Sequence, residues 1–275
     1  MPPSEIRKEA RQSLKGKWGK ALRIIAAYML VAYAIESIKK FIGSDNILST
    51  IIDILNLLIT VPLSFGLIIS FIKLKRNENV KAWDFLEDGF SRFGKSWGIA
   101  WHTFVRMLLP IVCLILTIIL ISVLMLLGSN SAIITILGIA LYIATLIYGI
   151  SRSLLYILAY YIAYDKPELS SKKCVKKSEE LMRGNRGNYF LLCLSFIGWI
   201  LLITIPFVIA YSYFITLLIY NEIMLSIIGL VITLITFLIA TLYLTSYMDV
   251  ATVCFYDRLT KPEVKKIDEE VRIEE

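Results

Sequence analysis

From Met107 to Ser151 the chain runs 45 residues without a charged side chain, interrupted only by the small polar cluster Gly128-Ser129-Asn130-Ser131. At about 1.5 Å rise per residue, an α-helix needs about 20 apolar residues to cross a hydrocarbon core ~30 Å thick. The run therefore reads as two membrane-spanning helices joined by a tight turn. Further uncharged stretches at Ile54–Ile72, Gly187–Asn221 and Ile223–Met248 repeat the signal. Hydrophobic residues make up 57% of the chain and mean hydropathy is +0.72. A water-soluble fold of this size could not bury that much apolar surface. The expected fold class is an all-α polytopic membrane protein.

Six spans follow, near 20–41, 47–73, 98–127, 132–164, 188–219 and 223–256, with a charged tail from 257 to 275. Their orientation is read from Lys and Arg. Residues 1–20 carry six, 73–97 six, 165–187 seven and the tail five, so 24 of 29 basic residues fall on one side. The positive-inside rule makes that side cytoplasmic and places both termini there. Ala32-Tyr33-Ala34 has the form of a signal-peptide cleavage site. The long polar region before it and the two lysines soon after favour a retained anchor instead. The net charge of +7 needs no nucleic-acid partner, because basic loops at anionic lipid headgroups account for it and no nucleic-acid motif accompanies them.

The cytoplasmic segments share a cadence. Leu14-Lys15-Gly16-Lys17-Trp18-Gly19 opens the first span, Met182-Arg183-Gly184-Asn185-Arg186-Gly187 opens the fifth, and Gly89 to Gly94 precedes the third with a longer gap. The exits Tyr164-Asp165-Lys166 and Tyr256-Asp257-Arg258 also match. This predicts three tandem units, each a cytoplasmic amphipathic helix followed by a transmembrane hairpin. The first glycine of each pair would end the surface helix in the left-handed conformation. Within residues 1–19, Ile6, Ala10, Leu14 and Trp18 recur every four residues, one apolar face with Arg and Lys opposite. In the segment before the fifth span, Cys174, Val175, Ser178, Leu181 and Met182 form the corresponding face. Between 80 and 97 the apolar residues are mostly aromatic.

Charged residues inside spans are costly and mark candidate sites. Three stand out: Arg106 and Asp249, ~13 Å and ~11 Å from the cytoplasmic ends, and Arg152, ~20 Å deep at the helical rise per residue. They read either as a basic cavity that binds an anionic headgroup or solute, or as structural ion pairs between spans. Near the other face Glu36, Lys39, Lys40, Asp53 and Asn56 could form a small polar cluster. Pro62, Pro110 and Pro206 are expected to kink the second, third and fifth spans. Nothing resembles catalytic machinery: the single His102 opens the third span, Ser195 has no base near it in sequence, and no H-E-x-x-H, G-x-S-x-G or phosphate-binding loop occurs. Cys113, Cys174, Cys193 and Cys254 offer no C-x-x-C metal pair and no disulfide framework, and Cys254 near the inner leaflet could at most be acylated. No cofactor or metal is expected.

Pro62-Leu63-Ser64-Phe65-Gly66-Leu67, Glu179 to Asn185, Leu194-Ser195-Phe196-Ile197-Gly198-Trp199, Tyr247 through Phe255-Tyr256, and the opening Ser4 to Leu14 together resemble a bacterial membrane-protein family called domain of unknown function 975. The chain departs from that family at Tyr148-Gly149-Ile150, where Pro-Gly-Ile is usual, and at Ser246-Tyr247, where Pro-Tyr is usual. The resemblance implies an integral membrane protein of Gram-positive type bacteria and brings no catalytic residues. The expected function is a non-enzymatic scaffold or accessory protein binding lipid headgroups or a membrane-protein partner. The alternative is a transporter or flippase-like carrier of an anionic or amphipathic molecule. A continuous polar cavity would favour the carrier, and polar residues confined to the cytoplasmic rim would favour the scaffold.

Overall fold

The computed structural model describes residues 2–42, 47–126 and 132–274. The described residues are all-helical: α1 Pro3–Leu14, α2 Trp18–Ile42, α3 Ile47–Lys75, α4 Asp84–Phe90, α5 Phe93–Leu126, α6 Ala132–Ser153, a 3-10 turn Leu154–Tyr156, α7 Ala159–Asp165, α8 Ser171–Met182, α9 Arg186–Ile219 and α10 Ile223–Glu274. Six stretches are long and apolar enough to cross a membrane: Trp18–Ser37, Thr50–Lys75, Phe93–Leu124, Thr135–Asp165, Arg186–Ile219 and Ile223–Thr260. The expected turn at Gly128–Ser131 and the side chains of Lys39, Lys40 and the residues from 261 onward lie outside the described residues. The chain divides into two compact units, one of residues 1–91 with 188–275 and the other of residues 92–187.

Helix limits and expected span limits differ at two places. The fourth span is not one helix, because α6 stops at Ser153 and α7 begins at Ala159. Between them Leu155, Tyr156 and Leu158 are buried, and the Ser178 hydroxyl of α8 donates to the Leu155 carbonyl at 2.7 Å. A backbone acceptor loosened by the 3-10 turn thus finds a partner from outside its own helix, as an apolar surround requires. Helix α10 runs on beyond the expected end of the last span, to Glu274. Helix also runs unbroken through Tyr148-Gly149-Ile150 and Ser246-Tyr247, and Pro62, Pro110 and Pro206 lie inside α3, α5 and α9.

In the larger unit α1 lies on α10 and buries Ile6, Ala10 and Leu14 to 1% exposure or less. Full burial of an Ile or Leu side chain stabilises by about 1.5–3 kcal/mol, so this four-residue spacing contributes substantially to docking α1. Gly16 then adopts φ +78°, and the Lys17 amide donates to the Leu14 carbonyl at 2.8 Å. In the smaller unit α8 buries Cys174, Val175, Ser178 and Met182 against α5, α7 and the 3-10 turn. It ends at Gly184, φ +82°, with Asn185 donating to Met182 at 3.0 Å. Both left-handed glycines stand where the sequence places them. Gly89 does not follow suit, because it lies inside α4.

Gly89 serves a different purpose. A methyl group on it would sit 2.3 Å from the Pro62 carbonyl oxygen, and one on Gly66 would sit 1.9 Å from the Phe85 carbonyl oxygen. The backbones of α3 and α4 therefore touch at a glycine pair, as small residues allow in apolar helix contacts. Phe85, fully buried, meets Tyr28 edge-on at 5.8 Å, and Lys73 closes the joint by donating to both Asp88 oxygens at 2.8 and 2.7 Å. Gly66→Ala or Gly89→Ala should force the helices apart and lower stability by about 1–3 kcal/mol, the usual range for overpacking. Gly198→Ala, where a methyl group meets open space, serves as the control. Thermal unfolding of the purified variants in detergent checks this, and equal midpoints for all three would refute the glycine weld.

Candidate functional site

Six charged residues of the larger unit converge where α1, α3 and α10 meet. Arg258 of α10 donates from Nε to Glu9 at 2.7 Å and from Nη1 to Glu5 at 3.1 Å. Lys75, the last residue of α3, lies 3.3 Å from Glu9 and donates to Asp257. Arg76 reaches the other Asp257 oxygen at 3.3 Å. Three carboxylates, Glu5, Glu9 and Asp257, thus face three cations, Lys75, Arg76 and Arg258. The central pair is well covered, with side-chain exposures of 11% for Lys75 and 13% for Asp257. Lys17 adds a hydrogen bond to the Leu74 carbonyl at 2.8 Å, tying the α1–α2 turn to the end of α3.

Sequence reasoning passed over this cluster because each of its residues lies in a charged loop or tail and looks solvated alone. The one legible trace is the repeated exit motif, in which Asp257 and Arg258 follow Tyr256.

Burial acts to raise the pKa of Glu9, but hydrogen bonding from Arg258 and the charge of Lys75 outweigh it and hold the carboxyl below its ordinary value of 4.5. A carboxylate depressed on folding stabilises the fold above its unfolded pKa, and that contribution disappears as pH falls through the folded value. Acidification from pH 6 to below the ordinary carboxylate range should therefore loosen α1. Glu9→Gln should be less stable at neutral pH and lose less on acidification. Thermal midpoints of both proteins across that range test this, and parallel pH curves would contradict it.

The predicted site residues distribute as follows. Arg106 of α5 forms an ion pair with Glu179 of α8 at 3.1 Å, and its guanidinium lies 5.7 Å from the centre of the Tyr156 ring. Glu179 is shared with Arg183 at 3.1 Å. Arg152, near the end of α6, keeps a buried Nε with no hydrogen-bond partner among the described residues. Both arginines belong to the smaller unit, whereas Asp249 belongs to α10 in the larger one and keeps a buried, unpartnered Oδ2. The structure thus brings Arg106 to an α8 carboxylate that sequence reasoning had not paired with it. A double-mutant cycle on Arg106→Met and Glu179→Gln should yield a coupling of about 0.5–1 kcal/mol, as expected for a half-covered pair. Strict additivity would show that the contact contributes nothing.

The remaining candidates are quiet. Ser195 donates to the Leu192 carbonyl at 2.7 Å. Asn56 receives the Thr60 hydroxyl at 3.0 Å on its side-chain oxygen. Among the described residues no group of three His, Cys, Asp or Glu side chains could hold a metal ion, and all four cysteines are free.

No curated protein and no solved structure matches the chain. The sequence family described as "Protein of unknown function (DUF975)" matches residues 1–227. The motifs around Gly66, Arg183 and Ser195 fall within that match and the stretch from Tyr247 lies beyond it, and with most of its length covered the chain belongs to this family.

Proposed function

We propose that this protein is a non-enzymatic component of the bacterial cytoplasmic membrane, with both termini inside, that binds lipid or a membrane partner as a scaffold or accessory factor. The observation that carries the reading is where the charges go. At the basic ends of the spans, carboxylates of the surface helices are matched to cations of the spans: Glu5 and Glu9 with Arg258, Asp88 with Lys73, Glu179 with Arg106. These charges hold helices in place, and the space left open alongside α9 and α10 is lined almost wholly by apolar and aromatic residues.

The proposal includes the three-unit plan. Buried positions of α1 and α8 correspond in register: Ile6 with Cys174, Ala10 with Ser178, Leu14 with Met182, then Gly16 with Gly184. Each surface helix contacts the exit helix of one hairpin: α4 lies on α3, α8 on α7, and α1 on α10. That recurrence supports one repeated module whose amphipathic helix covers the preceding hairpin, the first covering the last. A repeat built this way is a packing device before it is a transport device.

The carrier reading has one observation in its favour, the unpartnered atoms of Arg152 and Asp249 inside spans. Reconstitution separates the two. In proteoliposomes holding a fluorescent phospholipid, a membrane-impermeant reductant should bleach only the outer leaflet, as in empty vesicles, and the protein purified in mild detergent should retain phospholipid. Bleaching of the inner leaflet that Asp249→Asn abolishes would establish the carrier. Purified protein that retains no phospholipid would overturn lipid binding.

A further inference from the structure

The cleft between α9 and α10 lies wholly within the larger unit. Its first cavity, ≈480 Å³, has Arg11, Trp18, Trp199 and Tyr247 at the end nearest α1. A second, ≈390 Å³, continues along the same two helices, and the cavities share Leu202, Ile203 and Ala240. Both volumes fall in the about 300–1,000 Å³ range typical of small-molecule sites. On α10 the lining runs from Tyr247 to Ile232, ~22 Å at the helical rise, and so reaches from the interface through one leaflet of a ~30 Å core. Phe207 and Phe237 stack across the deeper part at 4.0 Å, joining the two helices while leaving the shallower part open. That stack closes the deeper part to anything as wide as a helix, whose diameter with side chains is about 10–12 Å. It suits a flexible hydrocarbon chain.

The mouth has the opposite character. Tyr247 donates to the Arg7 carbonyl at 3.0 Å, and Arg7 reaches across to the Ser195 carbonyl of α9 at 3.3 Å, so α1 caps the cleft. The Arg7 Nε is buried without a partner. Arg11, one turn further along α1, holds its guanidinium 6.0 Å from the centre of the Tyr247 ring, and no carboxylate among the described residues pairs with it. The carboxylates of α1 are engaged elsewhere, because Glu5 and Glu9 bind Arg258. Arg7 and Arg11 lie about 200° around the helix from Glu5 and Glu9, two residues on in each case. One face of α1 is charge-neutral and locked, and the other presents unmatched arginine over an apolar slot. Trp18 adds an amphipathic wall, 5.3 Å from Tyr243 and 6.5 Å from Tyr247.

We propose that this cleft holds one acyl chain of an anionic phospholipid whose phosphate sits on Arg11 between Trp18 and Tyr247. The proposal rests on the lipid-binding reading above and names the ligand and its site. The apolar slot provides the affinity, and Arg11 provides the selection for negative charge.

Native mass spectrometry of the full chain tests it, with phosphatidylglycerol or phosphatidylcholine of identical chains added to delipidated protein. Wild type should take up one phosphatidylglycerol with about fivefold preference, the value of one basic residue at an anionic surface. Arg11→Gln should erase the preference while keeping the weaker phosphatidylcholine adduct, and Arg11→Lys should restore most of it. Ala240→Phe should lower both adducts, and the control Lys8→Gln neither. A ladder of adducts equal for both lipids and all variants would mean annular lipid only and would overturn the site. A selective phosphatidylglycerol adduct that survives both Arg11→Gln and Ala240→Phe would also overturn it, while leaving the broader lipid-binding reading intact. Protein that takes up neither lipid would defeat both.

Discussion

The ionic knot joining α1, α3 and α10 is the constraint on which the larger unit depends. Its three helices come from the start, the first third and the end of the sequence, and apolar surfaces alone do not fix their mutual register in an apolar solvent. Lipid tails are as hydrophobic as leucine, so helix association in a bilayer relies on close packing and polar contacts. Glu9 and Asp257 supply those contacts by bracketing Lys75, and Arg258 secures Glu9 from the other side. Each covered ion of the knot meets an opposite charge, which offsets the cost of its desolvation.

The same solution recurs with other residues. Asp88 holds α4 to Lys73 of α3, and Glu179 holds α8 to Arg106 of α5. In each case the carboxylate sits on a short helix and a cation sits on a long one. A strongly basic set of loops would repel itself around the span ends, and these carboxylates offset that repulsion locally. The glycine weld between α3 and α4 does for the seven-residue α4 what a twelve-residue apolar face does for α1 and α8. A short helix buries too few side chains to stay docked, so backbone contact takes their place.

What could be read from the sequence was local. Six long apolar stretches, the four-residue spacing of Ile6, Ala10 and Leu14, and the glycines that end α1 and α8 all express themselves within one turn or one span of helix. Gly66 was visible as part of a motif, but its purpose was not, because the atoms it makes room for belong to Phe85. The break after Ser153 carries no proline or glycine to announce it, and the hydroxyl that supports it comes from Ser178, well along the chain. Arg106 stood out as a charge within an apolar stretch, but its carboxylate, Glu179, lies on α8, a helix that the apolar pattern alone could not dock. The cleft between α9 and α10 was invisible, since a gap between two uniformly apolar helices leaves no signature in either.

Under the proposed lipid site, α1 acquires a second consequence. The helix that closes the larger unit through Glu5 and Glu9 also carries Arg11 over the cleft, and the two faces move as one rigid element. A headgroup that binds Arg11 only when α1 is docked adds its binding free energy to docking, and docking in turn raises affinity for the headgroup by the same factor. Protonating Glu9 weakens the docked state, so acid acts on the lipid site without titrating any group in it. At such a site the anionic lipid becomes part of what holds the fold together, and the composition of the leaflet it comes from becomes a variable the protein can register.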